Sequence, residues 1–145
     1  MDFKSLKKMA GDVARTGLSD QLIDIVDDDA SVRRALKRLL SSVGLRCDCY
    51  SSAGAYFGSG DLQSAACLLL DIHLPEMSGI ELLEQLRDVA PDLPVICMTG
   101  RAEPEIMRRL ATLGHLRCLR KPFDESELFA ALSEVAAVSV SGFDG

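Results

Sequence analysis

The chain has 145 residues, 48% of them hydrophobic, and a formal net charge of −6. This length suits one domain with a hydrophobic core, and the negative charge argues against nonspecific binding of nucleic acid by this chain. No apolar run approaches the roughly 18 residues of a membrane span, and residues 1–20 lack the continuous apolar core of a signal peptide. We therefore expect a cytoplasmic protein that does not bind membranes.

The chain opens with an N-terminal extension, residues 1–20, in which apolar residues recur at helical spacing. They are Phe3, Leu6, Met9, Ala10 and Val13. This spacing predicts a helix that docks on the domain or pairs with a second copy of the chain. The first half of the domain then predicts strands at 22–26 and 45–50. A helix over 32–43 ends before Gly44, and a short helix covers 53–57.

In the second half, the apolar runs 67–70 and 95–98 predict buried strands. Helix starts are marked by the capping boxes Ser78-Gly79-Ile80-Glu81 and Asp124-Glu125-Ser126-Glu127, and by Pro104 in a first turn. The expected inner faces of these helices consist of Leu82, Leu83, Leu86 and Val89; of Ile106, Met107, Leu110 and Leu113; and of Leu128, Phe129, Leu132 and Val135.

A fifth strand is predicted at 115–120. Five strands alternating with five helices predict an α/β fold, a doubly wound and flavodoxin-like parallel sheet with helices on both faces. The first, third and fourth strands are mostly apolar and should be central, whereas the second and fifth alternate and should be edges. This pattern suits the strand order 2-1-3-4-5. The domain is expected to span residues 21–138, with a short tail at 139–145.

Polar residues follow four of the strands, at the edge where ligands bind in such folds. They are Asp27 and Asp28 after the first strand, Asp71 after the third, Thr99 after the fourth and Lys121 after the fifth. Three crowded carboxylates favour a hard divalent cation such as Mg²⁺. An ionised Asp71 can then attack a phosphorus centre, while the Thr99 hydroxyl and the Lys121 ammonium bind phosphoryl oxygens.

With this set in place, residues 22–137 resemble a bacterial two-component response-regulator receiver domain. The matching text is I-V-D-D-D, L-L-L-D-I-H-L-P-E-M-S-G, M-T-G and R-K-P-F, and it is most similar to receivers that usually precede a LuxR-type helix-turn-helix output. The resemblance implies a phosphoacceptor that switches partner binding or dimerisation. It implies no enzyme activity beyond self-catalysed phosphotransfer and dephosphorylation.

The resemblance also implies how the site works. Asp71 would accept phosphate from a sensor histidine kinase or a phosphotransfer protein. Asp27 and Asp28 would bind Mg²⁺, with Asp28 and Asp71 as direct ligands and the backbone carbonyl of His73 as a third.

The switch residues are Thr99, which would move toward a phosphoryl group also bound by Lys121, and an aromatic three residues before that lysine. Here the aromatic position holds Cys118. A small thiol cannot act as a large rotating switch, so the usual route of signal transmission is not expected. All five cysteines lie in strand-like segments and are expected to be reduced. Cys118 is expected to be a small packing residue, with redox sensing as the alternative.

Simpler interpretations stay open for several residues. Asp27, Asp28 and Asp29 could cap the following helix, and Asp29 is expected to do only that. The His73 ring is expected to face solvent. A group of arginines around the fourth helix and fifth strand is either a dimer or partner surface or a solvated face. Its members are Arg101, Arg108, Arg109, Arg117 and Arg120.

Two other functions also stay open. A degenerate receiver would bind a partner without being phosphorylated; the complete set of acids, threonine and lysine argues against this, and Cys118 mildly favours it. A phosphatase of the haloacid-dehalogenase type also uses an aspartate after a strand. Those enzymes place a second acid two residues on, where this chain has His73.

Overall fold

The computed structural model of the chain describes residues 21–59, 62, 64–101, 103–114 and 116–143. Within the N-terminal extension it describes only Lys4, Lys7, Lys8 and Gly11, which are helical and exposed. The apolar residues of the predicted N-terminal helix therefore lie outside the described residues, and that helix stays a prediction.

Five parallel strands form one sheet with the order β2-β1-β3-β4-β5. The strands are β1 (Leu22–Val26), β2 (Arg46–Tyr50), β3 (Ala65–Asp71), β4 (Val95–Thr99) and β5 (Leu116–Arg120). The helices between and after them are α1 (Ala30–Ser42), α2 (Ala53–Ser59), α3 (Gly79–Val89), α4 (Pro104–Ala111) and α5 (Glu125–Phe143). The predicted fold class and strand order are confirmed.

Helices cover both faces of the sheet, because the buried apolar side chains form two clusters. Successive residues of a strand point to opposite faces. Leu69 accordingly packs in the cluster with α1 and α5, whereas Leu68 and Leu70 pack in the cluster with α2, α3 and α4. This two-sided burial explains why β3 is apolar along almost its whole length, up to the point where it ends on Asp71.

The helices begin at the side chains that the sequence marks as caps. Oγ of Ser78 accepts a hydrogen bond from the backbone nitrogen of Glu81 at 3.2 Å. Oδ1 of Asp124 accepts one from the backbone nitrogen of Glu127 at 2.9 Å. Each cap satisfies an N–H group that a helix start leaves without an intrahelical partner. At its other end α5 continues to Phe143, so much of the expected tail is helical.

The prediction that Val89 lies on the inner face of α3 is wrong, because this residue, at the end of the helix, is 55% exposed. The buried stripe continues instead from Leu86 to Ala90, the C-cap residue that directly follows this helix. An α-helix has 3.6 residues per turn, so either the third or the fourth residue after Leu86 can continue its buried face. Here the fourth residue, Ala90, is buried, and the third, Val89, lies at the margin of the buried face. None of the described helices is long and apolar enough to cross a membrane.

Candidate functional site

The predicted site residues lie together at one edge of the sheet, because the carboxyl ends of parallel strands meet there. Asp27 and Asp28 follow β1, Asp71 ends β3, Thr99 ends β4 and Lys121 follows β5. One carboxylate oxygen from each of the three aspartates lies within 4.8 Å of the others. The structure thus brings the three acids to the switch point between β1 and β3, with Lys121 beside Asp27 and Asp71.

Asp27 is fully buried, and protein groups bind both of its carboxylate oxygens. Oδ1 accepts a hydrogen bond from the backbone nitrogen of Asp29 at 2.9 Å, and Oδ2 accepts one from Nζ of Lys121 at 2.9 Å. The backbone carbonyl of Asp27 also accepts a bond from the Arg33 guanidinium at 2.7 Å. Capping of α1 belongs to Asp29, which accepts from the backbone nitrogen of Ser31 at 2.9 Å.

Asp71 is held by one oxygen and turns the other toward Lys121. Oδ1 accepts a hydrogen bond from the backbone nitrogen of His73 at 2.9 Å, and Oδ2 lies 3.6 Å from Nζ of Lys121. Burial raises the pKa of the Asp71 carboxyl above its ordinary value, although the His73 bond and the lysine charge oppose that rise. An added cation would favour the ionised carboxylate that a nucleophile requires.

The Lys121 side chain is a positively charged ammonium group in the site, and its surroundings favour the charged form. Burial alone would lower its pKa, but the hydrogen bonds and charges of Asp27 and Asp71 outweigh burial and raise the pKa. The backbone nitrogen of Lys121 donates to the carbonyl of Thr99 at 2.7 Å, which fixes the lysine beside the end of β4. The peptide bond from Lys121 to Pro122 is cis.

The hydroxyl of Thr99 is buried and already engaged. It donates to the carbonyl of Arg101 at 2.6 Å and accepts from the backbone nitrogen of that residue at 3.1 Å. Nε2 of His73 lies 3.1 Å from the same oxygen. Because the hydroxyl proton points to Arg101, Nε2 carries the proton that donates to Thr99 in this arrangement.

The His73 contact corrects a prediction. The residue is exposed, as expected, but its ring does not only face solvent, because it binds the Thr99 hydroxyl. A cleft of about 400 Å³ opens at this point, lined by Asp71, His73, Gly100, Arg101 and Lys121. Arg101, grouped by sequence with the surface arginines, therefore lines the cleft. Its position two residues after the polar end of a strand was the available signal.

The donor set fits a divalent cation. Three carboxylates lie together, and the Lys121 ammonium pairs with Asp27 and lies near Asp71. The candidate ligand atoms of the three aspartates are carboxylate oxygens, and hard cations such as Mg²⁺ prefer oxygen ligands. Asp28 is exposed while Asp27 and Asp71 are buried, so the cluster is open to water on one side. A bound magnesium ion commonly keeps several waters.

The arginines around α4 and β5 are partly used in ion pairs. Arg109 pairs with Glu84 at 2.5 Å, and Arg117 pairs with Glu134 at 2.6 Å. These four side chains are all about half exposed, and exposed pairs contribute little to stability. A partner or dimer surface at this face stays a prediction.

Comparison with known proteins gives the family. The family model described as "Response regulator receiver domain" matches residues 23–133. The response regulator protein TmoT of Ectopseudomonas mendocina is 35% identical over 129 residues, which cover 88% of this chain and 59% of TmoT. The transcriptional regulatory protein FixJ of Azorhizobium caulinodans is 34% identical over 110 residues, covering 76% of this chain and 52% of FixJ. The chain therefore spans little more than half the length of these curated relatives.

One solved structure is similar to this chain over nearly the whole length of the solved protein. It is a CheY-like response regulator receiver domain protein from Methanospirillum hungatei, with a TM-score of 0.80 and 27% sequence identity. The alignment covers 86% of this chain and 99% of that one.

Proposed function

Because the chain belongs to the response regulator receiver domain family, we propose that Asp71 is the residue on which it accepts phosphate. It is a receiver domain of two-component signalling, a signalling protein and not a member of an enzyme family. The phosphate donor we propose is a sensor histidine kinase or a phosphotransfer protein. One observation carries the assignment: Asp71 ends β3 with Oδ2 directed at Lys121 and with its carboxylate on the cleft.

The geometry suggests how Asp71 would act. Oδ1 is held by the His73 backbone nitrogen at 2.9 Å, so the carboxylate has a fixed orientation. We assign the attack to Oδ2, which would form a bond to phosphorus while the bond between phosphorus and the donor's histidine nitrogen breaks. The imidazole of the donor leaves with that electron pair.

Lys121 and Thr99 would bind the transferred group. The Lys121 ammonium, 3.6 Å from Oδ2 of Asp71, would pair with a phosphoryl oxygen, as a compact charge suits. Thr99 would have to turn its hydroxyl proton from the Arg101 carbonyl to another phosphoryl oxygen. That exchange is the movement through which phosphorylation could alter the segment after β4.

The acid cluster would hold Mg²⁺. Asp28 and Asp71 would be direct ligands and the backbone carbonyl of His73 a third, while Asp27 supports the site through Lys121 and the Asp29 backbone. Bound there, the ion would neutralise the carboxylates and the phosphoryl oxygens.

The wider context also remains a proposal. We propose a cytoplasmic receiver over residues 21–138. We also propose that the N-terminal extension, residues 1–20, docks on this domain or pairs with a second copy of the chain. Dimerisation through that extension or through the α4 and β5 face stays a prediction. The likeness to receivers of the LuxR type also stays a prediction from sequence, since the names of the relatives do not support an output type.

The alternatives are weaker. Family membership argues against a phosphatase of the haloacid-dehalogenase type. Such an enzyme would need a second acid two residues after Asp71, where this chain has His73. A receiver that works without phosphorylation has only Cys118 in its favour. The acids, Thr99 and Lys121 together supply every group that phosphoryl transfer to Asp71 would use.

A phosphorylation assay with matched variants tests the proposal. The full chain is incubated with a small phosphodonor such as acetyl phosphate, with Mg²⁺ or with a chelator. Wild type should gain one alkali-labile phosphoryl group only with Mg²⁺, and Asp71→Asn should gain none. Asp88→Asn, an exposed aspartate on α3, is the control and should behave as wild type. Equal labelling of Asp71→Asn and wild type would refute the assignment, and an unlabelled wild type would favour the receiver that works without phosphorylation.

A further inference from the structure

Cys97 of β4 and Cys118 of β5 are direct partners in the register of the parallel sheet. Adjacent strands lie about 4.8 Å apart, so the Cα atoms of direct partners fall within the range of about 4.4 to 6.8 Å that disulfides require. Both side chains also belong to the same core cluster on one face of the sheet. The backbone therefore already holds the two thiols where a disulfide could form.

The two sulfur groups differ in acidity and in exposure. A hydrogen bond between them is the largest cause that lowers the pKa of Cys118 to about 7 and raises the pKa of Cys97. Burial opposes the lowering at Cys118, and the charge of Arg117 adds to it. Cys118 is partly exposed, whereas Cys97 is fully buried. One partner is thus a partly exposed thiol with a lowered pKa, and the other is a buried thiol with a raised pKa.

The remaining three cysteines lack these properties. Burial is the largest cause that raises the pKa values of Cys47, Cys49 and Cys67. Their register partners are isoleucines: Cys47 and Cys67 lie opposite Ile23, and Cys49 lies opposite Ile25. Cys97 and Cys118 are therefore the one cysteine pair in the described strands that shares a register position.

We propose that Cys97 and Cys118 form a reversible intramolecular disulfide when the protein meets a peroxide. The Cys118 thiolate attacks the terminal peroxide oxygen, the O–O bond breaks, and Cys118 becomes a sulfenic acid. The rest of the peroxide leaves as hydroxide or alkoxide, which takes up a proton from water. The Cys97 sulfur then attacks the Cys118 sulfur, and the hydroxyl group leaves with the Cys97 proton as water. Two thiols are oxidised and one peroxide is reduced, and a dithiol reductant reverses the reaction.

The bond would join β5 to β4 just before both strands reach the cleft. Cys97 precedes Thr99 by two residues, and Cys118 precedes Lys121 by three. None of the groups assigned to phosphoryl transfer takes part in the oxidation. The inference is therefore independent of Asp71, and Asp71→Asn should oxidise like wild type.

Peptide mapping of the full chain tests the proposal. The reduced protein is exposed to hydrogen peroxide, and its thiols are counted after denaturation. We expect a loss of two of the five thiols, recovery of both with dithiothreitol, and a monomer on a non-reducing gel. Trypsin without reduction should release peptide 88–101 linked to peptide 118–120, since these contain Cys97 and Cys118.

Variants supply the controls. Cys118→Ser should keep its remaining thiols at peroxide doses that oxidise wild type. Cys97→Ala lacks the second sulfur, so the sulfenic acid on Cys118 should persist and be trapped by dimedone, although it should form more slowly because the hydrogen bond from Cys97 is lost. Cys49→Ser is the matched control, since Cys49 is also partly exposed, and should lose two thiols like wild type. The proposal would be overturned by cross-links at other cysteines, by links between chains, or by a sulfinic acid on Cys118 without the cross-linked peptide. Peptide mapping of wild type tests the proposal even if a variant fails to fold.

Discussion

Nε2 of His73 lies 3.1 Å from the hydroxyl oxygen of Thr99, so a side chain two residues after Asp71 holds the hydroxyl proposed to bind the phosphoryl group. That hydroxyl also donates to the Arg101 carbonyl. The resting arrangement of Thr99 is therefore stabilised on two sides. Before Thr99 can bind a phosphoryl group, its hydroxyl must give up the Arg101 bond, and its movement toward that group must break the His73 contact.

Removing the His73 ring should make this exchange easier. A hydrogen bond contributes about 1 kcal/mol, which corresponds to about fivefold in rate. We expect His73→Ala to take up phosphate from acetyl phosphate about fivefold faster than wild type in a time course with Mg²⁺. His73→Gln keeps a donor for Thr99 and should stay closer to wild type. Unchanged or slower uptake in His73→Ala would show that the contact does not restrain Thr99.

Gly79 should resist substitution, because α3 begins against the end of β3. A Cβ at Gly79 would overlap the Cα of Ile72 and lie 2.9 Å from the carbonyl oxygen of Asp71. We expect Gly79→Ala to lower the free energy of unfolding by about 1–3 kcal/mol and to slow phosphorylation, because the Asp71 backbone must shift.

Gly54→Ala is the control for that change. Gly54 lies in α2, and nothing lies within 4 Å of the Cβ that alanine would add. Alanine is a better helix former, so this variant should gain up to about 1 kcal/mol in urea unfolding. Equal effects of the two substitutions would contradict the close approach at Gly79.

The buried pair Tyr56 and Asp24 should contribute to stability. The Tyr56 hydroxyl donates to Oδ2 of Asp24 at 2.9 Å, and both residues are almost completely buried. Tyr56→Phe removes a donor from a buried carboxylate and should cost about 1–3 kcal/mol in urea unfolding. The cost should shrink when the substitution is made in an Asp24→Asn background. The same cost in both backgrounds would place its origin elsewhere.

Cys118 should react as a thiolate near neutral pH. Its pKa is lowered to about 7 by the Cys97 hydrogen bond, and only the thiolate is nucleophilic. The rate of alkylation by iodoacetamide, followed on peptide 118–120, should therefore rise with pH and reach half its maximum near pH 7. Cys97→Ala removes the hydrogen bond and should shift that midpoint upward. A wild-type midpoint at the ordinary thiol pKa would contradict the lowering of the Cys118 pKa by Cys97.

Sequence was sufficient for the architecture and for which strand ends meet. The strand order follows from which strands are apolar throughout and which alternate, because central parallel strands are buried on both faces. Asp27, Asp71, Thr99 and Lys121 could be brought together because each follows a different strand of one parallel sheet. No contact between side chains was needed for that inference.

Details that depend on side-chain direction and register could not be predicted. The His73 ring contacts Thr99 across 26 positions of sequence, which no local pattern encodes. The pairing of Cys97 with Cys118 requires the register of β4 and β5, and two strands of five residues can pair in several registers. The prediction that Val89 is buried was wrong because helical spacing alone does not define where the buried face of a helix ends.

The most direct test of the central claim is the chemical location of the phosphoryl group. Wild type is phosphorylated with acetyl phosphate and Mg²⁺, reduced with borohydride, and digested with trypsin; the reduction converts an aspartyl phosphate to homoserine. Peptide 47–87 contains Asp48, Asp61 and Asp71, and its fragment masses distinguish the three positions. Homoserine in place of Asp71 alone is the predicted result. Homoserine at another aspartate, including Asp27 or Asp28 in peptide 16–33, would contradict the account.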